Sequence, residues 1–225
     1  MLNEIISEKG FSFKAFGLPI DDYANAFIKL QASQAFDIDQ ELAGFSDLES
    51  EDNIIRGCLN VLIAKNIKKF NKQIKSDTKE QILNKHSCEF ILTNNKLYAW
   101  GSQTAIKLLK TELSYLDDLI PEPITFSFLE LSSFQEKLTK IQSISLSNPK
   151  GNKLRKVKLS GDIESYTDYN VSVAGDHDIS QVSGIIDYNS QSLNLSVGSK
   201  GNIKIKNKNL TADIAMLDFV LGLLK

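Results

Sequence analysis

The chain has 225 residues, 42% of them apolar and 24% charged, which is enough apolar material to close a core and too ordinary a mixture for a disordered tail or a fibre. The formal charge is −2, from 26 basic and 28 acidic side chains, so any basic surface has to come from segregation of charge along the chain. Only two cysteines are present, Cys58 and Cys88, too few for a disulfide-stapled secreted domain.

The N-terminal stretch MLNEIISEKGFSF has neither the basic start nor the long apolar run of a signal peptide. The longest apolar stretch, Met216–Leu224, is broken by Asp218 and is too short to span a bilayer. The expected setting is therefore the cytoplasm, with no membrane contact and both thiols free.

In chain order, Phe11–Leu18 is rich in aromatics and predicts a strand. Asp21 and Asp22 follow Pro19 as caps for a helix over Tyr23–Gln31, with Tyr23, Phe27 and Leu30 as its apolar stripe. Phe36–Asp52 is acidic and reads as irregular, Ile54–Ala64 as a strand, and the lysine-rich Lys65–Lys85 as partly helical. Cys88–Thr93 and Lys96–Trp100 predict a hairpin closed by Asn94-Asn95. Ser102 then caps a helix striped by Ile106, Leu109, Leu113 and Leu116.

The Pro-Glu-Pro run Pro121–Pro123 disfavours helix and marks a connector, which divides the chain into halves 1–120 and 121–225. The second half opens with Ile124–Leu129 as a strand, then a Ser133-x-x-Glu136 capping box and a helix carrying Phe134, Leu138 and Ile141. Strand Ser143–Ser147 turns through Asn148–Lys153 into Leu154–Leu159. Asp162–Asp187 is polar and acidic and reads as a loop with one short strand near Ile185. Gln191–Val197 and Asn202–Lys206 predict a hairpin, and Thr211 caps a last helix striped by Ile214, Leu217, Leu221 and Leu224.

Phe-Ser-Phe occurs at Phe11–Phe13 and Phe126–Phe128, and the two helical stripes match at one constant offset, the pattern of an internal duplication. The order strand–helix–strands–helix, taken twice, resembles the two halves of the TATA-binding protein family. That resemblance lies in element order, and the stretch Asp162–Asp187 departs from it. It implies an α+β fold of two similar halves, each an antiparallel sheet with its helices on one face, and implies no function.

Recognisable chemistry is sparse. Two cysteines and two histidines, His86 and His177, do not supply the paired ligand spacings of a zinc site, and Asp176, His177 and Asp178 read as a solvated acidic loop. Cys88 or Cys58 with His86 lacks an orienting third group for nucleophilic catalysis. No glycine-rich phosphate loop is present, Gly198–Gly201 reads as a hairpin turn, and Asp117 and Asp118 read as caps or solvated surface. The expectation is no enzyme, no cofactor and no bound metal.

Charge segregation is the more informative signal. Residues 1–62 are acidic, whereas Lys65, Lys68, Lys69, Lys72, Lys75, Lys79 and Lys85 reverse the sign. Two further basic runs follow, Lys150, Lys153, Arg155, Lys156 and Lys158, then Lys200, Lys204, Lys206 and Lys208. The alternations Lys156-Val157-Lys158 and Lys204-Ile205-Lys206 place lysines on one face of a strand. Lys153, Arg155, Lys156, Lys158, Lys204, Lys206 and Lys208 are thus the expected contacts to DNA or RNA. The alternative is a protein–protein adaptor, or a subunit of a larger complex, working through the acidic segment Asp37–Asp52 and the loop Asp162–Asp187.

Overall fold

Period-two alternation governs most of this chain, and the computed structural model is an α+β protein dominated by antiparallel strands. It describes residues 4–71, 76–116, 119–147, 156–161 and 178–224. The turn Asn148–Lys153, Lys72, Lys75, Lys150, Lys153, Arg155, the pair Asp117 and Asp118, and Asp162–His177 lie outside the described residues. Among the described residues no helix is long and apolar enough to cross a membrane.

The elements in order are β1 (Glu4–Ser7), β2 (Phe11–Gly17), α1 (Tyr23–Ala32), β3 (Gly44–Glu51), β4 (Ile54–Asn71), β5 (Ser76–Thr93), β6 (Lys96–Gly101) and α2 (Gln103–Ser114). After the two-residue β7 (Glu122–Pro123) come α3 (Phe128–Glu136), β8 (Lys140–Ser147), β9 (Lys156–Ser160), β10 (Asp178–Tyr188), β11 (Gln191–Gly198), β12 (Asn202–Ile205), β13 (Leu210–Asp213) and α4 (Ile214–Gly222). Two compact units are built from them: a central unit, Phe16–Glu122, and a terminal unit, Asn3–Ala15 with Pro123–Lys225.

In the central unit the strands run β3-β4-β5-β6, each antiparallel to the next. Asp22 caps α1 by accepting from the Asn25 amide at 3.0 Å. Asn94 and Asn95 both have positive φ, as a two-residue hairpin turn demands. Ala26 and Leu30 of α1 pack with Ile106, Leu109 and Leu113 of α2 against Leu59, Phe90 and Leu97 of the sheet.

Two sequence expectations fail in this unit. The described residues of Lys65–Lys85 are not helical: β4 and β5 each extend for 18 residues and pair along their length. The register sets Lys65 opposite Ile82 and Lys68 opposite Lys79, and Lys69 forms an ion pair with Glu80 across the strands. The acidic segment is not wholly irregular either. Its second half is β3, which keeps its pairing to β4 through a bulge between Ser46 and Glu49, with Asp47 at φ 53.

In the terminal unit the order is β9-β8-β10-β11-β12-β2, with β1 and β13 pairing separately. Leu131 and Phe134 of α3 are buried, as are Leu217, Val220 and Leu221 of α4, together with Ile144, Leu146, Val182, Leu195 and Val197 of the sheet. A Cβ on Gly184 would run into the carbonyl oxygen of Lys140 in β8 and stand 2.5 Å from Leu138 Cδ1, so only glycine admits this close approach on β10.

Three expectations fail here. Phe126–Phe128 is not a strand, because Ser127 and Glu130 form a capping box that starts α3 at Phe128; Ser133 and Glu136 lie inside that helix. Asp213, not Thr211, caps the last helix by accepting from the Met216 amide at 2.8 Å, while Thr211 pairs with Ile6 in β13. The expected short strand near Ile185 is the 11-residue β10, held between β8 and β11. Phe-Ser-Phe therefore has no common conformation in the two halves, and the central run of sequence neighbours contrasts with β8, which pairs with both β9 and β10.

Candidate nucleic-acid interface

The candidate surface is the face of the terminal sheet that points away from its core. Ser143, Ser145 and Ser147 alternate with Ile144 and Leu146; Asn194 and Ser196 with Leu193, Leu195 and Val197; Lys204 with Ile203 and Ile205. The apolar members fill the core, so the polar members share the other face.

The strand register assembles them into rows. Ser183 stands opposite both Ser143 and Ser196, Ser196 opposite Lys204, and Lys204 opposite Ser12. In the next row Lys158 stands opposite Ser145, which stands opposite Gln181. The serines are hydrogen-bonded to their neighbours: Gln181 Nε2 donates to Ser196 Oγ at 2.6 Å and Ser183 Oγ donates to Ser196 Oγ at 2.8 Å.

This face is concave. Lys156 of β9 and Ser12 of β2 line the same hollow of about 450 Å³, although β8, β10, β11 and β12 lie between them in the pairing order. Ser180, Gln181 and Ser196 also line it, as do Lys200, Asn202 and Lys204 at the β11–β12 turn. That turn is fixed by Gly201, at φ +73, where a Cβ would stand 2.0 Å from the carbonyl oxygen of Ile124.

Lysines from different strands are close enough to feel one another. Lys206 titrates below the ordinary lysine value, first because burial disfavours its charge, then because Lys204 and Lys158 repel it. Lys156, Lys158 and Lys204 are exposed and Lys206 is half-buried. Lys208 is exposed in the segment leading to β13 and does not line the hollow, and Lys153 and Arg155 lie outside the described residues.

Sequence reasoning left Lys200, Ser12, Gln181 and Ser196 out of the expected contact set. The Ser-Ile-Ser-Leu-Ser run of β8 was their one legible signal, since it shows a strand with a hydroxyl face. Which strands stand beside it depends on register, and sequence spacing does not carry that.

The cysteines and His86 lie in the central sheet, on β4 and β5. Cys58 and Cys88 sit at adjacent register positions, opposite Glu89 and Leu59, so their side chains leave opposite faces of the sheet. Burial raises the Cys58 thiol, with Glu89 and Asp47 adding to the effect, and burial pushes Cys88 up to about 12. Neither is a ready thiolate. His86 Nδ1 lies 3.0 Å from Ser102 Oγ, which accounts for Ser102 standing at the N-cap of α2 without a side-chain cap bond. Among the described residues no group of three or more His, Cys, Asp or Glu could hold a metal ion.

No protein-family model matches this sequence, and no curated protein is significantly similar to it.

Proposed function

We propose that the terminal unit is a non-enzymatic nucleic-acid-binding surface that lays a phosphate backbone against its concave serine and lysine face. Lys156, Lys158, Lys204 and Lys206 supply the charge, with Lys208 exposed nearby in sequence; Lys153 and Arg155 belong to the same basic run of sequence. The observation that carries this reading is Lys206, half-buried with Lys204 and Lys158 beside it. Among the described residues none of Lys156, Lys158, Lys204 and Lys206 forms an ion pair with a carboxylate. Such a cluster repels itself, and a polyanion relieves the repulsion while releasing its own counterions.

The serine hydroxyls suit phosphate oxygens, contacts that position a backbone without reading bases. A common origin of the two halves, suggested by the stripes Ile106, Leu109, Leu113, Leu116 and Ile214, Leu217, Leu221, Leu224, would carry no function by itself.

The test is double charge reversal, Lys156→Glu with Lys204→Glu, read by fluorescence anisotropy on random-sequence DNA and RNA over a salt series. Affinity should fall, and the slope of log K against log salt should become shallower by roughly 0.9 for each duplex phosphate that is no longer neutralised. Parent-like binding by the folded double variant would make the face solvated surface. Association through the acidic stretches Asp37–Asp52 and Asp162–Asp187, insensitive to nuclease, would then be the better reading.

A further inference from the structure

The hollow on this face is more than a patch of lysines. Its lining has three cations, Lys156, Lys200 and Lys204, and among the described residues no carboxylate and no aromatic ring. Base stacking needs an aromatic or guanidinium platform, so this hollow offers a base nothing to stack on. Its volume, about 450 Å³, falls within the range of small-molecule sites and exceeds the needs of a single phosphate group.

The wall also holds a buried, hydrogen-bonded hydroxyl. Ser196 is 5% exposed, and its Oγ receives protons from both Gln181 and Ser183. Ser196 and Gln181 both line the hollow, and their mutual hydrogen bond fixes the hydroxyl and the amide there. A buried, fixed hydroxyl in a hollow whose described lining holds three lysines and no carboxylate suits an acceptor of negative charge.

We infer that this hollow is a seat for consecutive phosphate groups, recognised as a compact oligophosphate without their bases, in which Ser196 and its hydrogen-bonded partners supply directional donors and Lys156, Lys200 and Lys204 the charge. This deepens, and rests on, the reading of the face as phosphate-binding. The same chemistry arises from a free inorganic oligophosphate or from a bent segment of nucleic-acid backbone.

The experiment is calorimetric titration of the full chain with inorganic triphosphate, with citrate at matched ionic strength as the charge control. Saturable one-to-one binding of triphosphate, and much weaker binding of citrate, is expected. Ser196→Ala should weaken triphosphate roughly tenfold or more, as removal of a hydrogen bond to a charged group does. Asn202→Ala, at an exposed rim position, gives a second variant if Ser196→Ala does not fold, and should also weaken binding. Lys79→Met, which removes one charge from the β4–β5 ribbon, should leave binding within about twofold of the parent, as surface changes remote from a site do.

Equal binding of citrate, or parent-like affinity in both Ser196→Ala and Asn202→Ala, would overturn the seat. Competition separates the two sources. Displacement of DNA by triphosphate places backbone in the hollow. Seating of triphosphate with no nucleic-acid binding at all keeps the seat and sinks the proposed function. Nucleic-acid binding indifferent to both triphosphate and Ser196→Ala does the reverse.

Discussion

The central and terminal units both present polar side chains on one face of an antiparallel sheet, and they treat them in opposite ways. In the central unit the polar groups satisfy each other. Ser87 Oγ donates to Asn60 Oδ1 at 2.6 Å, Asn60 Nδ2 donates to Ser46 Oγ at 2.9 Å, and Ser46 Oγ donates to Asp47 at 2.8 Å. Arg56 pairs with Glu89 at 3.0 Å while its guanidinium lies 6.0 Å from the centre of the Trp100 ring. In the terminal unit the serines are bonded to their neighbours, but among the described residues Lys156, Lys158, Lys204 and Lys206 form no ion pair with a carboxylate. A closed network contributes to the stability of its own unit, whereas a cluster of like charges costs stability until a partner arrives. This contrast is the reason for proposing the terminal face, and not the central one, as the surface that takes an external ligand.

Each unit depends first on its helix stripe, so the largest test asks whether the two cores are equivalent. Leu109 and Leu217 are both fully buried. Leu109→Ala and Leu217→Ala should each cost about 2–5 kcal/mol, read from urea midpoints at unchanged m. A cost well below this in one unit alone would show that its helix is not a core element there.

The next test concerns the closed network. Asn60 is 3% exposed and holds Ser46 and Ser87 together. Asn60→Ala should destabilise by about 1–3 kcal/mol, because it removes a buried amide and strands the half-buried hydroxyls of Ser46 and Ser87. It should leave nucleic-acid affinity at the parent value. Weakened affinity in the folded fraction would mean that the central unit takes part in binding, and the contrast would fail.

The smallest effect is the most diagnostic of an unbalanced face. The folded pKa of Lys206 is lowered below its ordinary 10.5, so over the interval between the two values the unfolded chain holds more protons. Stability of the terminal unit should therefore rise as pH climbs from the lowered value towards the ordinary one, and the protonated lysine should be a liability below it. Lys206→Met should raise stability slightly at neutral pH, flatten this pH dependence and weaken nucleic-acid binding. Denaturation midpoints across the lysine range, with and without the substitution, check the sign. A Lys206→Met protein that is less stable at neutral pH would show that the charge is compensated.

Sequence alone determined the features that local chemistry decides. Asp22 is a cap because its carboxylate reaches the amide of Asn25, and Asn94-Asn95 is a turn because both residues tolerate positive φ. The stripes of α2 and α4 are buried because helical spacing puts apolar residues on one face, although Leu116 is only partly covered. Tertiary structure decided the rest. Long-range pairing made the described part of Lys65–Lys85 strand, and Phe128 opened a helix because Ser127 found Glu130. The serine and lysine face is the furthest from sequence. Residues as distant along the chain as Ser12, Lys156, Ser196 and Lys204 line one hollow only after strand register and sheet curvature bring them together, and neither is written in any short stretch of chain.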